Sequence, residues 1–137
     1  MGRTTKKGRD NGMRCFVALT WDVLNSPAYK WLPKSAGKAL PYWLGKVKTP
    51  YNARAYYETK FSFPYAEAKK YGFAPGTWNN VINDLVRHGF VDPVGKGGLR
   101  GDGKSCNYFR LSKRWLEYGK QSFQCVSWKE FAPRKAI

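Results

Sequence analysis

The chain has 137 residues, with 25 Lys and Arg against 9 Asp and Glu and a formal net charge of +16. A chain of this length buries about 68–70% of its unfolded surface, and its 42% hydrophobic and 17% aromatic content excludes wholesale disorder, so one domain is expected. The charge excess repels itself in a compact fold and points to a polyanionic partner, nucleic acid first and an anionic membrane surface second.

No apolar run approaches the roughly 18 residues of a membrane span. The N-terminus lacks the apolar core of a signal peptide, so a cytoplasmic protein is expected. Cys15, Cys106 and Cys125 form no CxxC pair, and with a single histidine, His88, they make no convincing zinc site. They read as reduced structural thiols, and neither metal nor cofactor is expected.

Residues 1–14 are basic, glycine-bearing and without hydrophobic period. They read as a flexible arm, either a solvated tail or a DNA-contacting one through Arg3, Lys6, Lys7 and Arg9. Residues 16–26, FVALTWDVLNS, suit a short strand or an extended lead-in. Ser26-Pro27 has the form of a helix N-cap followed by proline at the first helical position.

From Pro33 to Val47, the residues Ala36, Leu40, Trp43, Leu44 and Val47 form a helix stripe, with a kink or break expected at Pro41. Residues 48–55 read as a loop and 56–63, YYETKFSF, as a strand. A short helix follows over 64–71, ended by a left-handed Gly72. After a turn, a second helix runs from Pro75 to His88 with Trp78, Val81 or Ile82, Leu85 and Val86 as its apolar stripe, and Gly89 ends it. His88 reads as a capping or packing residue near the last carbonyls. Strands are expected from Phe90 and over 107–111, a closing helix over 112–118, and an extended segment over 123–128 that packs back on the domain.

Residues 98–105, GLRGDGKS, match the phosphate-loop pattern G-x-x-x-x-G-K-[ST]. That chemistry needs a helix starting at the Lys-Ser pair, whose N-terminus meets the phosphates. Here Ser105 is followed by the aromatic, strand-like CNYFRL, and the chain has no room for several parallel strands with crossover helices. No nucleotide is expected at Gly98–Ser105. Two antiparallel strands joined by a glycine-rich, basic loop instead form a wing, in which Lys96, Arg100 and Lys104 carry positive charge.

The order helix, strand, helix, turn, helix, strand, wing, strand resembles the winged helix-turn-helix family. The resemblance is carried by FPYAEAKKYGFAPGTWNNVINDLVRHGFV, residues 63–91, in which Gly72 stands five residues before Thr77. Trp78, Ile82 and Leu85 are spaced like the family's core positions, and Gly89-Phe90-Val91 is similar to its entry into the wing. The preceding LTWDVLNSPAYKWL resembles, more weakly, the lead-in of winged-helix proteins from phages, plasmids and mobile elements, including replication-initiator-like ones. The sequence departs from the pattern at Ala74, where a Ser or Thr normally caps the recognition helix, and at Pro41.

The resemblance implies an α+β fold: a three-helix core with a small antiparallel sheet and a Gly-rich wing over 15–118, after an arm over 1–14 and before a C-terminal extension over 119–137. It implies a double-stranded DNA partner, with the helix from Pro75 to His88 in the major groove. Opposite its apolar stripe this helix presents Gly76, Asn79, Asn80, Asn83 and Arg87. Asparagine is a poor helix former, so three on one short helix suit amides that bond to base edges, although an ordinary polar face has the same composition. More than half of the net positive charge lies in residues 1–60, which assigns much of the backbone affinity to the arm and first helix. A transcriptional regulator or a replication-associated factor is the expected role. Winged-helix regulators are often homodimers, although no heptad or interface stripe marks this sequence.

A single-strand or RNA-binding module is the alternative, with Tyr51, Tyr56 and Tyr57 beside Arg54 and Lys60 as stacking residues. The same tyrosines also suit the core of a small domain. A nuclease would need two carboxylates round a metal, and Asp22, Glu58, Glu67, Asp84, Asp92 and Asp102 are scattered with no motif to gather them. The chain is expected not to be an enzyme.

Overall fold

A computed structural model of the chain describes residues 16–95 and 107–131. Among these the fold is mixed α+β, with five α-helices and one three-stranded antiparallel sheet. Two single helical turns open it, α1 (Trp21–Leu24) and α2 (Pro27–Lys30), each with a hydroxyl cap. Thr20 accepts from Val23 N at 3.3 Å, and Ser26 accepts from Tyr29 N at 3.2 Å while donating to Val23 O at 2.6 Å. The Ser26-Pro27 expectation therefore holds. Residues 16–20 form no regular element, and the second half of FVALTWDVLNS is helical rather than a strand. The Thr20 cap, a local hydrogen bond, prevails over the β-propensity of the flanking residues.

The first long helix, α3 (Lys34–Leu44), continues through Pro41 without a break. Proline forfeits one intrahelical bond, but Leu40 and Trp43 on either side of it are fully buried, and Gly45 N still bonds Pro41 O at 3.0 Å. The expected strand over 56–63 shrinks to β1 (Phe61–Ser62). Arg54–Tyr57 instead form a turn of 3-10 helix, because Tyr56 is drawn into the core and Thr59 Oγ1 bonds back to Ala55 O at 2.8 Å. The period of two survives only where Phe61 and Phe63 both point inward.

Helix α4 (Tyr65–Lys70) and helix α5 (Pro75–Arg87) are joined by a turn in which Gly72 has φ +93°. Although Ala74 offers no side-chain cap, α5 begins at Pro75 at full length: Trp78 N bonds Ala74 O at 2.8 Å, and the proline needs no donor there. The sheet runs β1–β3–β2, with β2 (Val91–Gly95) and β1 both antiparallel to the central β3 (Tyr108–Leu111). Edge position explains why β2 tolerates Pro93, beside which the register with β3 shifts. The expected closing helix is a 3-10 turn, Arg114–Glu117. Beyond it Trp128 lies against Phe109 of β3 at 5.2 Å between ring centroids.

The core is aromatic. The Trp43 ring meets Trp78 at 5.5 Å, Phe63 and Phe109 at 5.0 Å each, and Phe61 at 5.9 Å. These contacts join α3, α5 and the sheet, and each buried aromatic removes a large apolar area from water. Among the described residues no helix is long and apolar enough to cross a membrane.

Candidate nucleic-acid interface

Helix α5 separates two faces cleanly. Trp78, Val81, Ile82, Leu85 and Val86 are buried, whereas Gly76, Asn79, Asn80 and Arg87 are exposed and Asn83 is half-buried. Five sequence-derived positions thus share one outward surface, as the helical period requires. Arg87 is not a bare cation there, since its Nη2 donates to Asp84 Oδ1 at 2.8 Å across a single turn. Lys96, Arg100 and Lys104, the GLRGDGKS stretch, and the arm residues Arg3, Lys6, Lys7 and Arg9 lie outside the described residues. So do Cys15 and Cys106; Cys125 is a free thiol and lies exposed.

Several contacts anchor the C-terminal end of α5. His88 is 2% exposed, its Nδ1 donates to Asp84 O at 2.9 Å, and its ring stacks on Tyr118 at 4.9 Å. Burial pushes its pKa down, with the nearby Arg87 charge adding to the effect and backbone hydrogen bonds opposing it. Gly89 follows with φ +91° and turns the chain into β2. Arg114 then ties three segments together: Nε to Asp92 Oδ1 at 2.6 Å, Nη2 to Val86 O at 2.8 Å and Val91 O at 3.0 Å, and Nη1 to Gln124 O at 2.9 Å.

Sequence reasoning left the C-terminal segment out of the interface. Ser127 and Lys129 stand with Asn80, Asn83, Asp84 and Arg87 around one shallow depression beside α5. A sign was present in the sequence: Trp128 is a lone large aromatic in SWKE, and burying it fixes where both of its neighbours emerge.

The tyrosines proposed for base stacking divide. Tyr56 is buried edge-on to Tyr57 at 5.1 Å, and its pKa is pushed up to about 12, mainly by burial. Lys113 lies over the half-buried Tyr57 ring at 4.8 Å, whose pKa is also raised by burial. Only Tyr51 of the three is exposed. Arg54 pairs with Glu58 at 3.1 Å, and Lys60 lies over Tyr108 at 5.3 Å. Four of the six acids are likewise dispersed onto separate cations: Glu58 on Arg54, Glu67 on Lys46, Asp84 on Arg87 and Asp92 on Arg114; Asp22 lies apart in α1, and Asp102 is outside the described residues. No group of three His, Cys, Asp or Glu gathers as a metal site among the described residues.

Comparison with protein-family models, with curated proteins and with solved structures returned no match.

Proposed function

We propose that this protein is a winged helix-turn-helix protein that binds double-stranded DNA, as a transcriptional regulator or replication-associated factor of a mobile element. The observation that carries the reading is the outward face of α5, where Asn79, Asn80, Asn83 and Arg87 stand opposite a fully buried stripe. Amides on one helix face match the paired donor and acceptor that adenine presents in the major groove. The order of elements supports the same reading, since α3, α4 and α5 pack with a β1–β3–β2 sheet and the basic stretch 96–106 connects β2 to β3. In this reading Lys96, Arg100 and Lys104 of the wing and Arg3, Lys6, Lys7 and Arg9 of the arm contact the backbone, and no nucleotide is held at Gly98–Ser105. A strand beginning at Tyr108, three residues after Ser105, supports that last point. Dispersal of the acids onto separate cations supports a binding role over a nuclease one.

The test is selection of bound sequences from random duplex DNA, followed by affinity for the selected and a scrambled duplex. Asn79→Ala, Asn80→Ala and Asn83→Ala are expected to include a loss of about 1–3 kcal/mol on the selected site and much less on the scrambled one. A constant ratio of the two affinities in all three variants sinks the assignment of α5. Preference for single strands over duplex in competition would establish the alternative, single-strand or RNA binding, instead. An enriched palindrome would show that the protein reads DNA as a homodimer.

A further inference from the structure

Between α5 and the C-terminal segment lies a shallow depression, walled by Asn80, Asn83, Asp84 and Arg87 on one side and by Ser127 and Lys129 on the other. Two anchors hold the second wall in place. Trp128 is 6% exposed and meets Phe109 of β3 at 5.2 Å and Phe131 at 6.2 Å. Upstream, Arg114 grips Gln124 O at 2.9 Å with the same guanidinium that grips Val86 O of α5 at 2.8 Å. One side chain therefore sets the spacing between the helix and the C-terminal segment.

The charges within the depression are unequal in availability. Arg87 and Asp84 neutralise each other at 2.8 Å, whereas the exposed Lys129 has no carboxylate partner among the described residues. Ser127, half-buried on the same wall, adds a hydroxyl donor. An unpaired ammonium and a hydroxyl beside a row of amides form a phosphate-contacting edge next to a base-reading face. Contacts of this kind set the register of a helix on a duplex.

We infer that the C-terminal segment is part of the DNA-binding surface, with Lys129, assisted by Ser127, taking a backbone phosphate of the duplex whose bases α5 reads. The inference rests on the proposed duplex-binding role of α5. It adds a contact that belongs to neither the helix, the wing nor the arm, and it gives the folded-back C-terminal segment a purpose beyond packing.

The experiment uses the full chain and measures affinity for the selected and the scrambled duplex between 50 and 200 mM salt. Lys129→Ala is expected to weaken binding to both duplexes alike, leave their ratio unchanged and reduce the slope of log K against log salt by about 0.9. Lys129→Arg is expected to keep the slope, because the charge remains. Lys120→Ala is the control, an exposed lysine of the same segment that is outside the depression and near Glu117 at 3.9 Å. Circular dichroism checks that each variant is folded. A wild-type slope in Lys129→Ala, or an equal change in Lys120→Ala, overturns the inference while the α5 reading stands on its asparagine variants. Absence of duplex binding by the wild-type chain overturns both.

Discussion

Arg114 and Asp92 are joined Nε to Oδ1 at 2.6 Å, with side chains only 12% and 23% exposed. The remaining guanidinium donors close on the carbonyls of Val86, Val91 and Gln124, so one side chain fastens the end of α5, the start of β2 and the C-terminal segment. Taking one partner from a largely buried ion pair leaves the other uncompensated, at a cost of about 3–5 kcal/mol. Arg114→Ala is expected near the lower end, about 3 kcal/mol, because Asp92 keeps some contact with water. Arg114→Lys should recover little of it, since a single ammonium cannot span the fork. Urea denaturation measures both, and a loss below about 1 kcal/mol in Arg114→Ala would show that the network adds no stability.

Three glycines should rank in a definite order when replaced by alanine. Gly37 lies inside α3 with nothing within 4 Å of a built Cβ, so Gly37→Ala is expected to stabilise by about 0.5–1 kcal/mol. Gly72 has φ +93° but open space, its nearest neighbour being Lys38 Nζ at 3.9 Å, so Gly72→Ala should cost about 1 kcal/mol of backbone strain alone. Gly89 combines φ +91° with a Cβ position 2.6 Å from Trp115 N and 2.9 Å from Arg114 C. Backbone atoms cannot swing aside, and Gly89→Ala should cost at least about 2 kcal/mol. Thermal or urea melts of the three variants test the ranking.

The indoles of Trp43 and Trp78 stack at 5.5 Å, and the Nε1 of each is buried without a hydrogen-bond partner among the described residues. An unsatisfied buried donor costs about 1–3 kcal/mol. Trp78→Ala should lose about 3–5 kcal/mol through the cavity it leaves. Trp78→Phe removes the unpaired N–H along with part of the volume and should lose far less. A loss in Trp78→Phe as large as its missing ring volume alone produces would mean that the N–H carries no penalty.

His88 makes stability depend on pH in a definite direction. Burial lowers its pKa below the ordinary 6.5, so between the folded and unfolded values the unfolded chain binds more protons. Its contribution is fully present above about pH 6.5 and is lost as pH falls through the depressed folded value. Wild-type protein should therefore lose urea resistance on acidification below pH 6.5, more steeply than His88→Gln, which cannot titrate there. Parallel pH profiles for the two proteins would refute this.

The sequence by itself determined the helices α3, α4 and α5, the left-handed glycines after α4 and α5, the strands flanking the 96–106 stretch, and the two faces of α5. Each depends on interactions within a few residues, such as apolar spacing, proline at the start of a helix and glycine's access to positive φ, all of which can be read along the chain. Where a local pattern and a distant contact disagreed, only the tertiary structure decided. Tyr56 left the alternating run 56–63 because the core claimed it, and α3 passed through Pro41 because Leu40 and Trp43 are buried on either side. Arg114 read as one base among 25, and only folding brings Asp92, Val86 and Gln124 within its reach. Lys129 likewise stands 42 residues from Arg87 in sequence and beside it around one depression, since the burial of Trp128 against Phe109 sets its place and no local rule encodes that contact.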